Sequence, residues 1–346
     1  MTEFAEKPKM SDVKAREVTK RLLRHETALF VGILLAVVAV FAGMTRGKSL
    51  APDNVMSILF QGANRGIATI GQLFVVLTAG IDLSVGGLAT LTSVVAALLT
   101  TDPATPRLAG HVMVTLPGTP LTLPAMIPLV LLVGTAVGLF SGLSVSRIHM
   151  PAIIVTLAVW LMTRGGAYRL GGGYSVSGLP PQLEFFGNGT VAGVPTPVIA
   201  FVIVAVLGYF VLNHTTFGRS VYASGANASA AWLSGVGVVN IRLAVYAISG
   251  FLAALVGFIT TARQMSGSVM GGQGLEIDSI AAVAVGGVSL AGGKGTVVGA
   301  VIGAIVISTI NNGLALTGVQ PVLRDIVKGG IIFAAVVADT LRRRSS

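Results

Sequence analysis

Gly80-Ile81-Asp82-Leu83-Ser84-Val85-Gly86 sets one carboxylate between two apolar runs, residues 66–79 and 85–99. An ionisable group at membrane depth is costly, so it normally faces a protein interior or a wet cavity and pairs there. Asp82 therefore has two readings. It lines or gates a passage, or with Ser84 it accepts backbone N–H bonds as the cap of the following helix. The flanking glycines allow a sharp turn without a Cβ penalty, so the stretch reads as helix, break, helix. Leu275-Glu276-Ile277-Asp278-Ser279 poses the same choice at Asp278 and Ser279.

Other chemistries fail on spacing. Gly292-Gly293-Lys294-Gly295-Thr296 resembles a phosphate loop, but a Walker motif needs G-x-x-x-x-G-K-[ST]. Val288 stands five residues before Gly293, and Gly295 follows the lysine. The run reads instead as a tight turn, and the chain is expected to hold no ATP site. His25, His111, His149 and His214 are scattered without ligand spacing, and there is no cysteine. Disulfides, thiolate nucleophiles and Cys-ligated zinc or iron–sulfur sites are excluded. Asn188-Gly189-Thr190 matches a glycosylation sequon, a short motif that is common by chance. No catalytic, cofactor or metal constellation emerges.

The elements that carry these residues are membrane helices. Of 346 residues 53% are hydrophobic and 10% charged, against roughly 25% charged in soluble domains. Mean hydropathy is +0.86. Glycine occurs 45 times, which suits helices packing without a hydrophobic drive between them. Ten apolar segments cover residues 28–44, 66–79, 85–99, 123–145, 152–167, 198–212, 243–262, 280–291, 296–316 and 322–338, with a partial helix at 56–61. Several fall short of the roughly 20 residues a perpendicular span needs. Broken spans are tolerated where backbone is buried in protein or lines a cavity.

The net charge of +10 is concentrated at the ends: seven Lys and Arg precede residue 28, and Arg342-Arg343-Arg344 closes the chain. Basic tails mark the cytoplasmic side. Nucleic-acid binding would interleave basic and aromatic residues on one surface, and no stretch does so. The polar tail is not a cleavable signal peptide. Ten spans place both termini inside. The N-terminal tail, Arg147, Arg219, Arg242, Lys294 and the last three arginines then carry 14 of the 23 Lys and Arg. Arg46, Lys48, Arg65, Arg107, Arg164, Arg169, Arg263, Arg324 and Lys328 fall on the outer segments and helix edges. Residues 100–122 and 170–197 suit outer connections, and 213–241 faces the cytoplasm. The domains are a basic tail (1–27), one membrane domain (28–339) and a basic C-terminal tail (340–346). The I-D-(x)-S stretches at Asp82 and Asp278 fall on opposite membrane faces, as an inverted repeat of spans two to five and seven to ten would give.

Within 213–241, Thr216-Phe217-Gly218-Arg219, Tyr222 and Gly225 lead to Asn227, an N-cap for a helix over 228–234. Gly235 suits the position that stops it. A short helix held between two spans moves only with them. The plain alternative is an amphipathic loop helix.

Four stretches in order, Gly80–Gly86, 216–235, 274–299 and 311–339, resemble the permease subunits of ATP-binding-cassette importers for ribose, xylose, arabinose and related sugars. Branched-chain amino-acid permeases share the GGKGT-like turn but differ around GIDLSVG, which favours the sugar branch. The resemblance implies an all-α polytopic bundle of about ten transmembrane helices, like a type II importer, in a bacterial inner membrane. It implies a periplasmic sugar-binding protein, cytoplasmic ATPase subunits that hold ATP and magnesium, and a second permease subunit, identical or related. Phe217, Gly218, Arg219, Tyr222, Gly225, Asn227, Ala230, Ala231, Ser234 and Gly235 would form the coupling helix and its approach. Ala230, Ala231 and Gly235 would lie where the ATPase comes close. Asp82, Ser84, Asp278, Asn311 and Asn312 are pathway candidates, though tandem asparagines serve equally to join helices. Glu276 is either a contact for the binding protein or a solvated turn charge. The rival is a proton- or sodium-coupled carrier using Asp82 and Asp278 as coupling carboxylates. Such a carrier needs no docking helix at 213–241. The Gly-rich, broken spans argue against a non-transport scaffold.

Overall fold

Proline and glycine punctuate the described residues, whose regular structure is nearly all helix. The computed structural model describes residues 28–101 and 120–344. The basic tail 1–27, most of the 100–122 connection and the last two residues lie outside the described residues. The helices are α1 (Ala28–Met44), α2 (Pro52–Leu77), α3 (Ser84–Thr100), α4 (Leu123–Ser146), α5 (Ala152–Gly171) and the short α6 (Glu184–Asn188). A two-stranded antiparallel hairpin, β1 (Thr190–Val191) and β2 (Val194–Pro195), leads into α7 (Thr196–His214). Then come α8 (Thr216–Ala226), α9 (Ala228–Leu233), α10 (Val238–Gln264), α11 (Leu275–Val285), α12 (Val297–Leu316) and α13 (Pro321–Arg344). Prolines open α2, α4 and α7, where a missing N–H costs nothing and φ is preset. Gly172, at φ 64, stops α5.

Among the described residues four helices, α4, α7, α10 and α12, are long and apolar enough to cross a membrane. α4 and α7 leave most of their apolar surface outside, whereas α10 and α12 are largely enclosed. α10 is the hub, packing on α2, α3 and α4, while α2 packs also on α11 and α12. The α4–α10 crossing is close because Gly134 and Gly138 meet Gly250 backbone to backbone, which leaves no room for a Cβ.

Three boundaries differ from the hydropathy reading. α2 is one continuous helix of 26 residues, not a partial helix at 56–61 followed by a span from 66. Asn54, Gln61 and Arg65 dilute its first half, but they recur at helical spacing on one side. Asn54 and Arg65 find partners on other helices, so the polarity marks an internal contact and not a break. The segment read as 280–291 is half helix and half turn: α11 has 11 residues and ends at Val285. At 1.5 Å per residue it is ~16 Å long, about half of the hydrocarbon thickness. α13 runs on to Arg344, through residues expected to be tail.

Between α10 and α11 the chain turns back along α3. Gly267 exchanges backbone hydrogen bonds with Val176 (2.8 and 2.9 Å). The Ser268 amide donates to Ser93 Oγ (3.2 Å) and the Gly272 amide to Thr90 Oγ1 (3.1 Å). These partners step along α3 toward its start. Gly272 lies against the Gly86 carbonyl, where a side chain has no room. α11 therefore begins beside the first turn of α3.

Candidate functional site

Both helix breaks carry a buried aspartate, and the two are held differently. At the first, Ala79 takes a left-handed φ of 61 after α2 ends, and the chain enters α3 through Asp82. Asp82 Oδ1 accepts from the Ser84 amide (2.9 Å) and Ser84 Oγ (2.5 Å), and Oδ2 accepts from Ser249 Oγ of α10 (2.7 Å). The Gln72 amide, oriented to satisfy both groups, donates to the Asp82 carbonyl (2.9 Å) and accepts from its N–H (3.2 Å). Asp82 and Ser84 are each 1% exposed, so neither lines an open passage in this conformation. The carboxylate holds the start of α3 to the middle of α10.

At the second break, Asp278 is an ion-pair hub. Arg65 Nε of α2 lies 2.7 Å from Oδ2 and Lys328 Nζ of α13 lies 3.0 Å from Oδ1. Asn311 Nδ2 of α12 donates to Oδ2 at 3.2 Å. One carboxylate thus joins four helices. Asn312 and Asn54 exchange reciprocal amide bonds, both 3.0 Å. Arg65 and Lys328 sit inside helices and are paired there, so neither belongs among the loop charges that report orientation. Ser279 Oγ donates to the Glu276 carbonyl within α11 (3.0 Å). Glu276 is 8% exposed, and its carboxylate lies against Gly86. It is not a solvated turn charge.

The loop residues gather at one end. Thr215 Oγ1 caps α8 by accepting from the Gly218 amide (3.1 Å), and Asn227 Oδ1 caps α9 by accepting from the Ala230 amide (3.0 Å). Ser234 closes α9 and Gly235 follows at φ 84. Gly218 packs on the carbonyls of Val211 and Leu212, which allows the α7–α8 turn. Phe217 packs on the core, whereas Arg219 is exposed. Tyr222 Oη donates to the Gly295 carbonyl (2.9 Å), and burial raises its phenol above the ordinary range, so it stays a donor. Gly225 lies against the Leu77 carbonyl and the Gly293 amide, while Gly293 N–H donates to that same carbonyl (3.0 Å). The Gly292–Thr296 turn is thereby wedged between α8 and the end of α2.

On α9 the exposed residues are not all those expected. Ala231 is 5% exposed and faces inward, so it offers no surface to a neighbour. Ala230, Ser234 and Gly235 are exposed. Trp232 and Leu233, passed over in the sequence, are 69% and 78% exposed. Two adjacent bulky apolar residues in the otherwise small and polar stretch 226–235 were the available signal.

The family described as branched-chain amino acid transport system / permease component matches residues 54–336. The ribose import permease protein RbsC of Haemophilus influenzae is 36% identical, over 93% of this chain and 95% of its own length. The D-allose transport system permease protein AlsC of Escherichia coli K12 is 36% identical over 89% and 90%. The xylose transport system permease protein XylH of the same strain is 32% identical over 94% of each. No solved structure matches the chain significantly.

Proposed function

The chain belongs to the family of branched-chain amino acid transport system permease components, a multi-pass membrane permease, and from that membership we propose that it is the transmembrane subunit of an ATP-binding-cassette importer for a monosaccharide. Relatives named for ribose, D-allose and xylose, each matched nearly end to end, support a sugar. In this reading the chain catalyses nothing itself. A binding protein delivers sugar to the outer face, and cytoplasmic ATPase subunits drive alternating access through a pair of permease chains in the bacterial inner membrane. The basic tails support a cytoplasmic location for both termini.

Helix packing supports the inverted repeat. Exchanging α2 with α10, α3 with α11, α4 with α12 and α5 with α13 turns α10–α3 packing into α2–α11, α10–α4 into α2–α12, and α3–α5 into α11–α13, and every one of these contacts occurs. The aspartates follow the same exchange: Asp82 bonds Ser249 in mid-α10, and Asp278 bonds Arg65 in mid-α2. Of the ten spans, α11 counts as a broken one. A gradient-coupled carrier is the weaker reading. Its coupling carboxylates must release their partners to take up an ion, yet Asp278 is clamped by two cations and Asp82 by three donors.

The observation that carries the proposal, beside family, is the apolar tip Trp232-Leu233 on α9, braced by α8 and presented outward between two long helices. Docked into a groove on the ATPase, such a tip transmits closure to α8, the glycine turn and the first helix break. Large apolar anchors at interfaces cost about 2 kcal/mol or more each when removed. Trp232→Asp with Leu233→Asp is expected to leave membrane insertion intact and to weaken co-purification with the cassette ATPase more than tenfold. Undiminished co-purification with normal uptake would remove the docking assignment.

A further inference from the structure

A cavity of about 370 Å³ opens between α2, the last turns of α10 and the returning segment before α11. Its wall differs from the rest of the helical surface. α5 and α7 turn Ile154, Leu161, Val206 and Phe210 outward, as lipid or an apolar neighbour requires. The cavity lining adds Gln61, Asn64, Arg65, Thr260, Gln264 and Gln273 to the apolar Val256 and Leu275. Arg65 stands midway along α2, and polarity within a span is tolerated only in a protein interior or against water.

Two of these side chains have bonding capacity to spare. Asn64 donates its amide to Thr260 Oγ1 (3.2 Å), and its Oδ1 has no partner among the described residues. Arg65 spends Nε on Asp278, and its Nη1 likewise has none. Arg65 is paired with Asp278, which it shares with Lys328, and Arg263 lies 4.7 Å above the Phe60 ring. Beside these paired charges the wall offers four side-chain amides, Gln61, Asn64, Gln264 and Gln273, each both donor and acceptor, which match neutral hydroxyls. The volume falls at the low end of small-molecule pockets, roughly 300–1,000 Å³.

We propose that this cavity is a transit subsite for a neutral monosaccharide, in which Gln61, Asn64, Gln264 and Gln273 exchange hydrogen bonds with sugar hydroxyls while the Arg65–Asp278 pair fixes the wall. The inference rests on the importer reading and names where inside the subunit the sugar passes.

The absence of native cysteine makes the test clean. Gln273→Cys and, separately, Gln61→Cys are introduced into the full chain and reconstituted with the ATPase and binding protein. Uptake is measured for whichever of ribose, xylose and allose the wild-type complex imports. A small charged methanethiosulfonate is expected to modify both cysteines and to cut each variant's uptake at least tenfold relative to its unmodified state. A reductant should restore it, which separates blockage from misfolding. Cysteines that resist the reagent, or adducts that leave uptake unchanged, overturn the cavity assignment while the importer stands. A wild-type complex that imports none of the three sugars overturns the sugar reading itself.

Discussion

Asp278→Asn is expected to destabilise the purified protein by about 3 kcal/mol, read as a large fall in its thermal unfolding midpoint in detergent. Breaking a buried ion pair by removing one partner costs about 3–5 kcal/mol, because the remaining charge is left uncompensated. Here one buried acid answers two cations, Arg65 and Lys328, with the exposed Asp325 a second partner of Lys328 at 3.3 Å. Their side chains keep 20% and 14% exposure, which admits some water and favours the lower figure. The loss should also loosen α13, since Lys328 is its ionic tie to α11. Adding Lys328→Met to Asp278→Asn should recover part of the loss by removing one stranded charge. A single Asp278→Asn variant as stable as the wild type would show that the cluster does not hold the four helices together.

Gly225→Val is expected to abolish uptake while the chain still inserts into the membrane. A side chain at Gly225 meets the Leu77 carbonyl and the Gly293 amide, both backbone groups, and those two are hydrogen-bonded to each other. Overpacking typically costs roughly 1–3 kcal/mol when neighbours can shift. Backbone at a helix end cannot shift without moving the helix, so α8 must lift away from the end of α2. That contact connects the α9 tip to the first helix break, and its loss should uncouple ATP hydrolysis from transport. Gly235→Ala makes the contrast. Gly235 also has a positive φ, 84, but lies in open space. The expected penalty there is only the left-handed strain of about 1–2 kcal/mol. Uptake by Gly225→Val at the wild-type rate would contradict the wedge.

What the sequence disclosed was local. The break at Asp82 is visible because glycines flank a lone acid. The α9 helix is visible because Asn227 and Gly235 are placed as cap and stop, and the glycine turn because its spacing fails as a phosphate loop. What stayed hidden depends on distance along the chain. Asp278 and Arg65 are 213 residues apart, and Asp82 and Ser249 are 167 apart. Without those partners Arg65 reads as a charge at a helix edge, and the first half of α2 reads as a gap between spans. Hydropathy also cannot tell a spanning helix from a half helix followed by an apolar turn, hence the misplaced end of α11. On α9, smallness suggested that Ala231 faces a partner. The helix turns it inward and puts Trp232 and Leu233 outside, a phase that six residues of sequence do not fix.

In the proposed importer, ATP hydrolysed by a partner drives a sugar through this chain. The most direct test is uptake of radiolabelled ribose, xylose and allose into proteoliposomes holding the chain with its cassette ATPase and binding protein. Uptake of one of these sugars should require ATP and both partners, and should survive ionophores that collapse proton and sodium gradients. Uptake by this chain alone, without ATP and driven by either gradient, would contradict the account.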